Sequence, residues 1–274
     1  MDWGNFFATF VVLLRECLEA GLIVGIILTV LVRLNHRRYF KDVFWSVGAA
    51  VGLSCVLGFI MMSVTSSFQG TMEKLVEGGV SIIACGVLTY MIFWMHAQSK
   101  KIKTDVEVSV ETALSKQEYW AFVSLPFFAV LREGAETVLF LSALGAKNGG
   151  AVSFFGSAAG ALVAVLISFM IFWGGKKISL KCLFGSLNIL LLLMASGLLA
   201  YGIHELQEVK IIPVIVYPLW NINHILNEKV GVGSFLKALF GYNGNPSLIE
   251  VIAYASYLLT VGFFLFRRDR SNSL

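Results

Sequence analysis

Long apolar runs separated by short polar connections set the pattern of this chain. A helix that crosses a bilayer needs about 20 mostly apolar residues. Seven runs qualify, at roughly 5–32, 43–65, 73–97, 119–145, 151–173, 182–206 and 248–266. They predict an all-α polytopic membrane protein with seven transmembrane helices, forming a single membrane domain over 1–274. Residues 209–247 are expected to form an outer interfacial connection before the seventh helix at 248–266. The opening Met1-Asp2-Trp3-Gly4 lacks the basic region of a cleavable leader, so the first run is expected to stay in the membrane.

The runs also repeat. Arg15-Glu16-Cys17-Leu18-Glu19 in the first returns as Arg132-Glu133-Gly134-Ala135-Glu136 in the fourth. Gly48-Ala49-Ala50-Val51-Gly52 in the second resembles Gly156-Ser157-Ala158-Ala159-Gly160 in the fifth. Gly86-Val87-Leu88-Thr89-Tyr90 in the third resembles Gly197-Leu198-Leu199-Ala200-Tyr201 in the sixth. Matches in one order predict duplication of a three-helix unit, the first repeat over 1–98 and the second over 119–208. Because three is odd, the second copy enters from the opposite face. The result is a 3+3 inverted-topology repeat plus one extra helix, an arrangement in which transporters hold substrate near the midplane. The small residues of the second and fifth helices are expected to let those helices pack closely against a neighbour.

Both copies of the acidic–basic motif fall deep in lipid. Glu16 and Glu19 lie about 17–21 Å into the first run, and Glu133 and Glu136 about 21–26 Å into the fourth, at 1.5 Å per residue. An ionisable side chain there costs about 2.5–3.5 kcal/mol on insertion scales, so six of them point to a use. Within each motif the arginine and the last glutamate are four residues apart and nearly eclipsed, and the two glutamates are three apart. Each helix therefore presents two carboxylates and a permanently charged guanidinium on one narrow face. Two such faces together offer an oxygen-rich site for a hard cation.

Composition sharpens the class. Hydrophobic residues make up 57% of the 274 and charged residues only 14%, with a mean hydropathy of +0.80. A soluble domain carries about 25% charged residues, so a soluble, disordered, collagen-like or nucleic-acid-binding protein is excluded. The net charge of +4 reflects the loops. Arg33, Arg37, Arg38, Lys41, Lys100, Lys101, Lys103, Lys116, Lys176, Lys177, Lys181, Arg267, Arg268 and Arg270 fall on one side. Lys74, Lys147, Lys210, Lys229 and Lys237 fall on the other, which puts the N-terminus outside and the C-terminus in the cytoplasm. Cys17, Cys55, Cys85 and Cys182 are scattered through apolar runs and are expected to act as small hydrophobes.

A second polar group falls at the outer ends of the third and sixth runs: Glu73 and Glu77, then His204-Glu205-Leu206-Gln207-Glu208. Glu208 stands where a zinc protease of the His-Glu-x-x-His type would need its second histidine, which argues against hydrolysis. Glu77, His204, Glu205 and Glu208 are instead expected to line an acidic vestibule that attracts cations. Glu73 and Glu205 also suit plain helix-end polarity. His36 and His96 adjoin basic loops and are expected to be solvated, and His224 sits in the outer connection. There Pro213, Pro218 and Trp220 suggest a chain along the interface, with a short surface helix at 235–240 and a turn at 242–246. The stretch 98–118, with Asp105, Glu107 and Glu111, reads as a solvated amphipathic segment.

The doubled Arg-Glu-x-x-Glu resembles the high-affinity iron permease family, including its bacterial EfeU-type branch. So do Glu73-Lys74-Leu75-Val76-Glu77-Gly78, Tyr90-Met91-Ile92-Phe93-Trp94-Met95, His204 to Glu208, and Gly231 through Tyr242 followed by Pro246. The resemblance implies a seven-helix iron importer of the bacterial cytoplasmic (inner) membrane. It carries iron as substrate, holds no permanent cofactor and is not an enzyme. It also implies an extracytoplasmic iron-oxidising or iron-delivering partner. It assigns Glu16, Glu19, Glu133 and Glu136 as metal ligands, with Arg15 and Arg132 orienting them. Cys17 stands where the family usually has glycine, as a further soft ligand or as filler. The residues alone also allow a transporter of another divalent metal or a proton-coupled solute using the same carboxylates.

Overall fold

The helices in the computed structural model follow the apolar runs closely. It describes residues 3–98, 102–115, 119–147, 152–173, 180–228 and 231–271. Lys100, Lys101, Lys116, Lys176, Lys177 and Lys229 lie outside them, as do the side chains of His96, Lys103, Lys181, Cys182, Arg268 and Arg270. In chain order the helices are α1 (Trp3–Arg33), α2 (Phe40–Ser66), α3 (Thr71–Gln98), α4 (Ile102–Ser115), α5 (Tyr119–Lys147), α6 (Phe154–Trp173), α7 (Leu180–Glu208), α8 (Gly231–Phe240) and α9 (Leu248–Ser271). No strand occurs among the described residues.

Five segments are long and apolar enough to cross a membrane: Arg37–Thr65, Thr71–Trp94, Phe154–Phe172, Leu187–Glu208 and Leu248–Leu265. The count differs from seven because of α1 and α5. These helices have 31 and 29 residues, more than a bilayer requires, but each carries the three ionisable residues of the motif near its middle. Phe44, Trp45, Phe59, Met62, Phe154, Phe155 and Leu162 point outward from α2 and α6. An apolar exterior of this extent suits lipid.

The motif helices are cross-braced. α1 packs along α6, α5 along α2, α3 along α7, and α1 crosses α5. Glycine governs the closest of these contacts. A Cβ at Gly156 would collide with the Phe6 carbonyl oxygen, and one at Gly160 with the Phe10 carbonyl oxygen, so α6 lies against the backbone of α1. α2 meets α5 through Ser46, Ala50 and Ser54, with Ser54 against Gly134 and the Ser46 hydroxyl donating to the Val123 carbonyl at 2.7 Å. That carbonyl lies in the turn loosened by Pro126, where a hydroxyl commonly replaces missing backbone bonds. The small residues of α2 pack closely, as expected, through Ala50 with Ser46 and Ser54 rather than through Gly48 and Gly52. A Cβ at either meets open space, because the packed stripe lies about 160–200° around the helix, two residues away.

Two expectations need correction. The segment at 235–240 is helical but belongs to the longer α8, which packs on α1 and α7 with Ser234, Ala238 and Leu239 buried. The short side chains explain this: Gly4 of α1 lies against the Ser234 carbonyl oxygen, leaving no room for a Cβ. α4 is solvated on one face only, since Val110 and Ala113 pack with Val30, Leu31 and Phe122 while Arg33 binds Glu111 at 2.5 Å. His36 is half-buried beside Tyr39.

Gly156→Val or Gly160→Val should force α6 off α1 at a cost of about 1–3 kcal/mol or more. Gly52→Ala should be neutral or slightly stabilising, since Ala is favoured over Gly in helices by about 1 kcal/mol. Thermal unfolding of the detergent-solubilised variants measures the difference, with the midpoint falling for the first pair only.

Candidate metal centre

The α1–α5 crossing brings the two motifs together. Arg15 is 1% exposed and lies between its own glutamates, with Nη1 donating to Glu16 Oε1 at 2.6 Å and Nε 3.0 Å from Glu19 Oε1. On α5, Arg132 Nε donates to Glu136 Oε1 at 3.0 Å and lies 3.7 Å from Glu133 Oε1. Each guanidinium therefore holds a carboxylate four residues ahead, as the helical spacing predicts.

Glu16, Glu133 and Glu136 can each offer one carboxylate oxygen so that all three atoms lie within 4.8 Å of one another. A single cation with oxygen ligands at about 2.2 Å spans about 4.4 Å between opposite ligands, so a small closure would complete a site. Each of these residues also keeps one buried oxygen, Oε2, with no hydrogen-bond partner. Buried unpaired oxygens are costly, and three clustered carboxylates that each keep one form a donor set suited to a cation. Glu19 is buried beside Arg15 but lies outside this trio. Cys17 also lies outside it and packs against the apolar core with Leu13 and Phe10.

The two halves of the cluster differ in access. The Arg132 side chain is 39% exposed, with its guanidinium carbon 4.4 Å above the Trp94 ring and Nη2 3.2 Å from Met91 Sδ. Stacking on an aromatic face and contact with a polarisable sulfur hold an arginine that lacks the full burial of its counterpart.

The polar residues at the far ends of α3 and α7 divide into two groups. Gly78 and Gly202 lie against each other's carbonyl oxygens, at 3.2 and 3.0 Å from the Cβ each would carry, which brings Glu77 and buried Glu205 to one level. Here Tyr201 OH donates to Glu77 Oε2 at 2.8 Å and approaches the Ala146 carbonyl at 3.0 Å, tying α3, α5 and α7 together. Farther out, His204 Nε2 lies 3.4 Å from Glu208 Oε1, and Lys74 pairs with Glu208 Oε2. Glu73 is exposed in the first turn of α3, and His224 is exposed in the outer connection. Among the described residues, only Glu16, Glu133 and Glu136 form a compact group of three ligands.

Several residues at these sites carry no motif in the sequence. Tyr201 stands only at the end of a weak repeat, and Ser247-x-x-Glu250 has the spacing of a helix capping box, which signals a helix start and no site. Lys147, expected in an outer loop, instead ends α5 and is 5% exposed beside Gly197. A cation there faces the negative end of the helix, which favours its placement.

The model of the iron permease FTR1 family matches residues 6–267. A protein of Yersinia pestis named ferrous iron permease EfeU is 32% identical over 269 residues, covering 97% of this chain and 95% of that one. Its namesake in Escherichia coli O6:H1 is 33% identical over 255 residues, 92% of each chain. No solved structure matches.

Removing Arg15 should be more damaging than removing Arg132. Arg15→Gln strands two buried carboxylates, a change worth about 3–5 kcal/mol. The Arg132 side chain is less buried and stacks on Trp94, so Arg132→Gln should lower the thermal midpoint much less. Unfolding of both variants under the same detergent conditions gives the comparison.

Proposed function

The chain belongs to the iron permease FTR1 family; it is a membrane permease and not an enzyme, and from that premise we propose that it imports ferrous iron through the carboxylate cluster of α1 and α5. The observation that carries this reading is the trio Glu16, Glu133 and Glu136, drawn from two helices and each with an unsatisfied buried oxygen. On this reading α1, α2, α3, α5, α6, α7 and α9 all span the inner membrane. They form a 3+3 inverted repeat, 1–98 and 119–208, with one added helix and the N-terminus outside. The reciprocal bracing of α1 by α6 and α5 by α2 fits that symmetry.

Four ionised glutamates and two arginines would leave the cluster at −2, which a ferrous ion neutralises and a ferric ion takes to +1, so charge alone accommodates either; the ferrous choice rests on the named relatives. Iron is captured at an outer vestibule of Glu77, His204, Glu205 and Glu208, and passes to Glu16, Glu133 and Glu136. Glu19 and the arginines keep the ligands aimed. With the N-terminus outside, Trp94 and Met91 lie toward the cytoplasm. The partial exposure of Arg132 then marks the release route, while the Tyr201 contacts close the outer side. Import in this manner is compatible with an extracytoplasmic protein that delivers iron or changes its oxidation state.

In vesicles containing the purified protein, Glu16→Gln, Glu133→Gln and Glu136→Gln should each reduce ferrous uptake at least about 10-fold, while the protein remains folded in the membrane. Wild-type uptake in all three would remove the carboxylate site. Transport of manganese in preference to ferrous iron would keep the site and change its substrate.

A further inference from the structure

The cap of α9 reaches the outer vestibule. Glu250 is 2% exposed and accepts three hydrogen bonds. Oε1 takes the Ser247 N–H at 3.2 Å and lies 3.1 Å from His204 Nδ1, while Oε2 takes Asn243 Nδ2 at 2.8 Å. The Glu250 N–H donates in return to Ser247 Oγ at 3.3 Å, completing a reciprocal capping box. Ser247 Oγ also donates to Gln207 Oε1 at 2.8 Å, which locks the start of α9 to the end of α7.

This network decides the tautomer of His204. An ionised carboxylate can only accept, so Nδ1 must carry the proton it shares with Glu250. In neutral imidazole the lone pair then lies on Nε2. That atom faces Glu208 Oε1 at 3.4 Å, and Glu208 is also an acceptor. Two acceptors facing each other draw a cation between them: a proton on His204 serves in the resting protein, and a metal ion can take its place. Adjacent ligands of one metal at about 2.1 Å stand about 3.0–3.4 Å apart, which matches this gap. Metal-binding histidines commonly donate their second ring N–H to a carboxylate in this way.

We propose that Glu250 is a positioning residue that fixes His204 as the Nδ1–H tautomer and aims its Nε2, together with Glu208, at a ferrous ion entering the outer vestibule. The role rests on the vestibule reading given above and adds to it a residue outside the vestibule. Lys74 is the resident counter-charge of Glu208, and the arriving ion displaces it.

The test is ferrous uptake by the full-length protein in vesicles under anoxic conditions, with half-saturation and maximal rate measured separately. Glu250→Gln keeps a residue able to cap α9 but removes the carboxylate. It should raise the half-saturating iron concentration about 10-fold and leave the maximal rate largely intact. His204→Ala should do the same, and adding Glu250→Gln to His204→Ala should change nothing further, because the two act as one unit. If uptake is lost in Glu250→Gln, calorimetric ferrous binding to the solubilised protein carries the same comparison. An unchanged half-saturation in Glu250→Gln, or an equal rise when His204 is already absent, overturns the positioning role and leaves the vestibule standing. No change in His204→Ala overturns the vestibule reading itself.

Discussion

Arg15 is the fixed point around which the rest is arranged. A guanidinium keeps its charge even deep in a poor dielectric, so its helix can lie in lipid only if anions surround it. Glu16 and Glu19 supply them, at 2.6 and 3.0 Å, and their own charges call for further positive partners. Across the crossing, Arg132 of α5 lies within electrostatic reach of Glu19, and its motif adds two more carboxylates to the same volume. Once four carboxylates and two arginines share one volume, neither helix can rotate away without parting buried charges from their partners. This constraint sets the facing of α1 and α5 more firmly than apolar packing could, because apolar burial has no direction.

Charge sets the facing, but glycine sets the distance. Gly156 and Gly160 let α6 lie on the backbone of α1, Gly134 lets Ser54 of α2 reach α5, and Gly78 with Gly202 does the same for α3 and α7. Two of these approaches lie beside residues of the proposed route. The Gly134 contact lies next to Glu133 in the chain, and the Gly78–Gly202 crossing brings Glu77 to the level of Glu205. Small residues therefore lie beside the charged ones along the chain. A larger side chain at these positions would move a ligand as well as a helix.

The parts of this arrangement legible in the sequence are those governed by a single helix. The seven apolar runs and the eclipsed Arg–Glu spacing depend on periodicity alone, and each corresponds to a helix or a contact seen here. What depends on which face meets which neighbour was not legible. Gly48 and Gly52 have the same spacing as Gly156 and Gly160, yet only the second pair faces a partner, because rotation about the helix axis is set by contacts far away in the chain. Lys147 was misplaced for the same reason, since a polar residue just past an apolar run looks like a loop until another helix covers it, and the helix expected at 235–240 starts earlier and is packed rather than lying at the surface. Glu250 carried a local signal, the capping box, but the signal announces a helix start and says nothing of His204, 46 residues away.

The two metal positions of the proposed route differ in chemistry, and the difference bears on selectivity. Glu16, Glu133 and Glu136 offer only carboxylate oxygen, a donor set that also accepts magnesium, calcium and manganese. Such a site separates these ions poorly, since what distinguishes them is cavity size and ligand number rather than ligand type. Imidazole nitrogen favours iron over the alkaline-earth ions, and His204 is the histidine poised beside a carboxylate on the outer side. Discrimination is therefore best made before the midplane, at the histidine that Glu250 holds in place. The inner cluster can then bind weakly enough to release its ion, as passage through successive sites requires. An entrance that selects and a centre that lets go divide the work between nitrogen and oxygen.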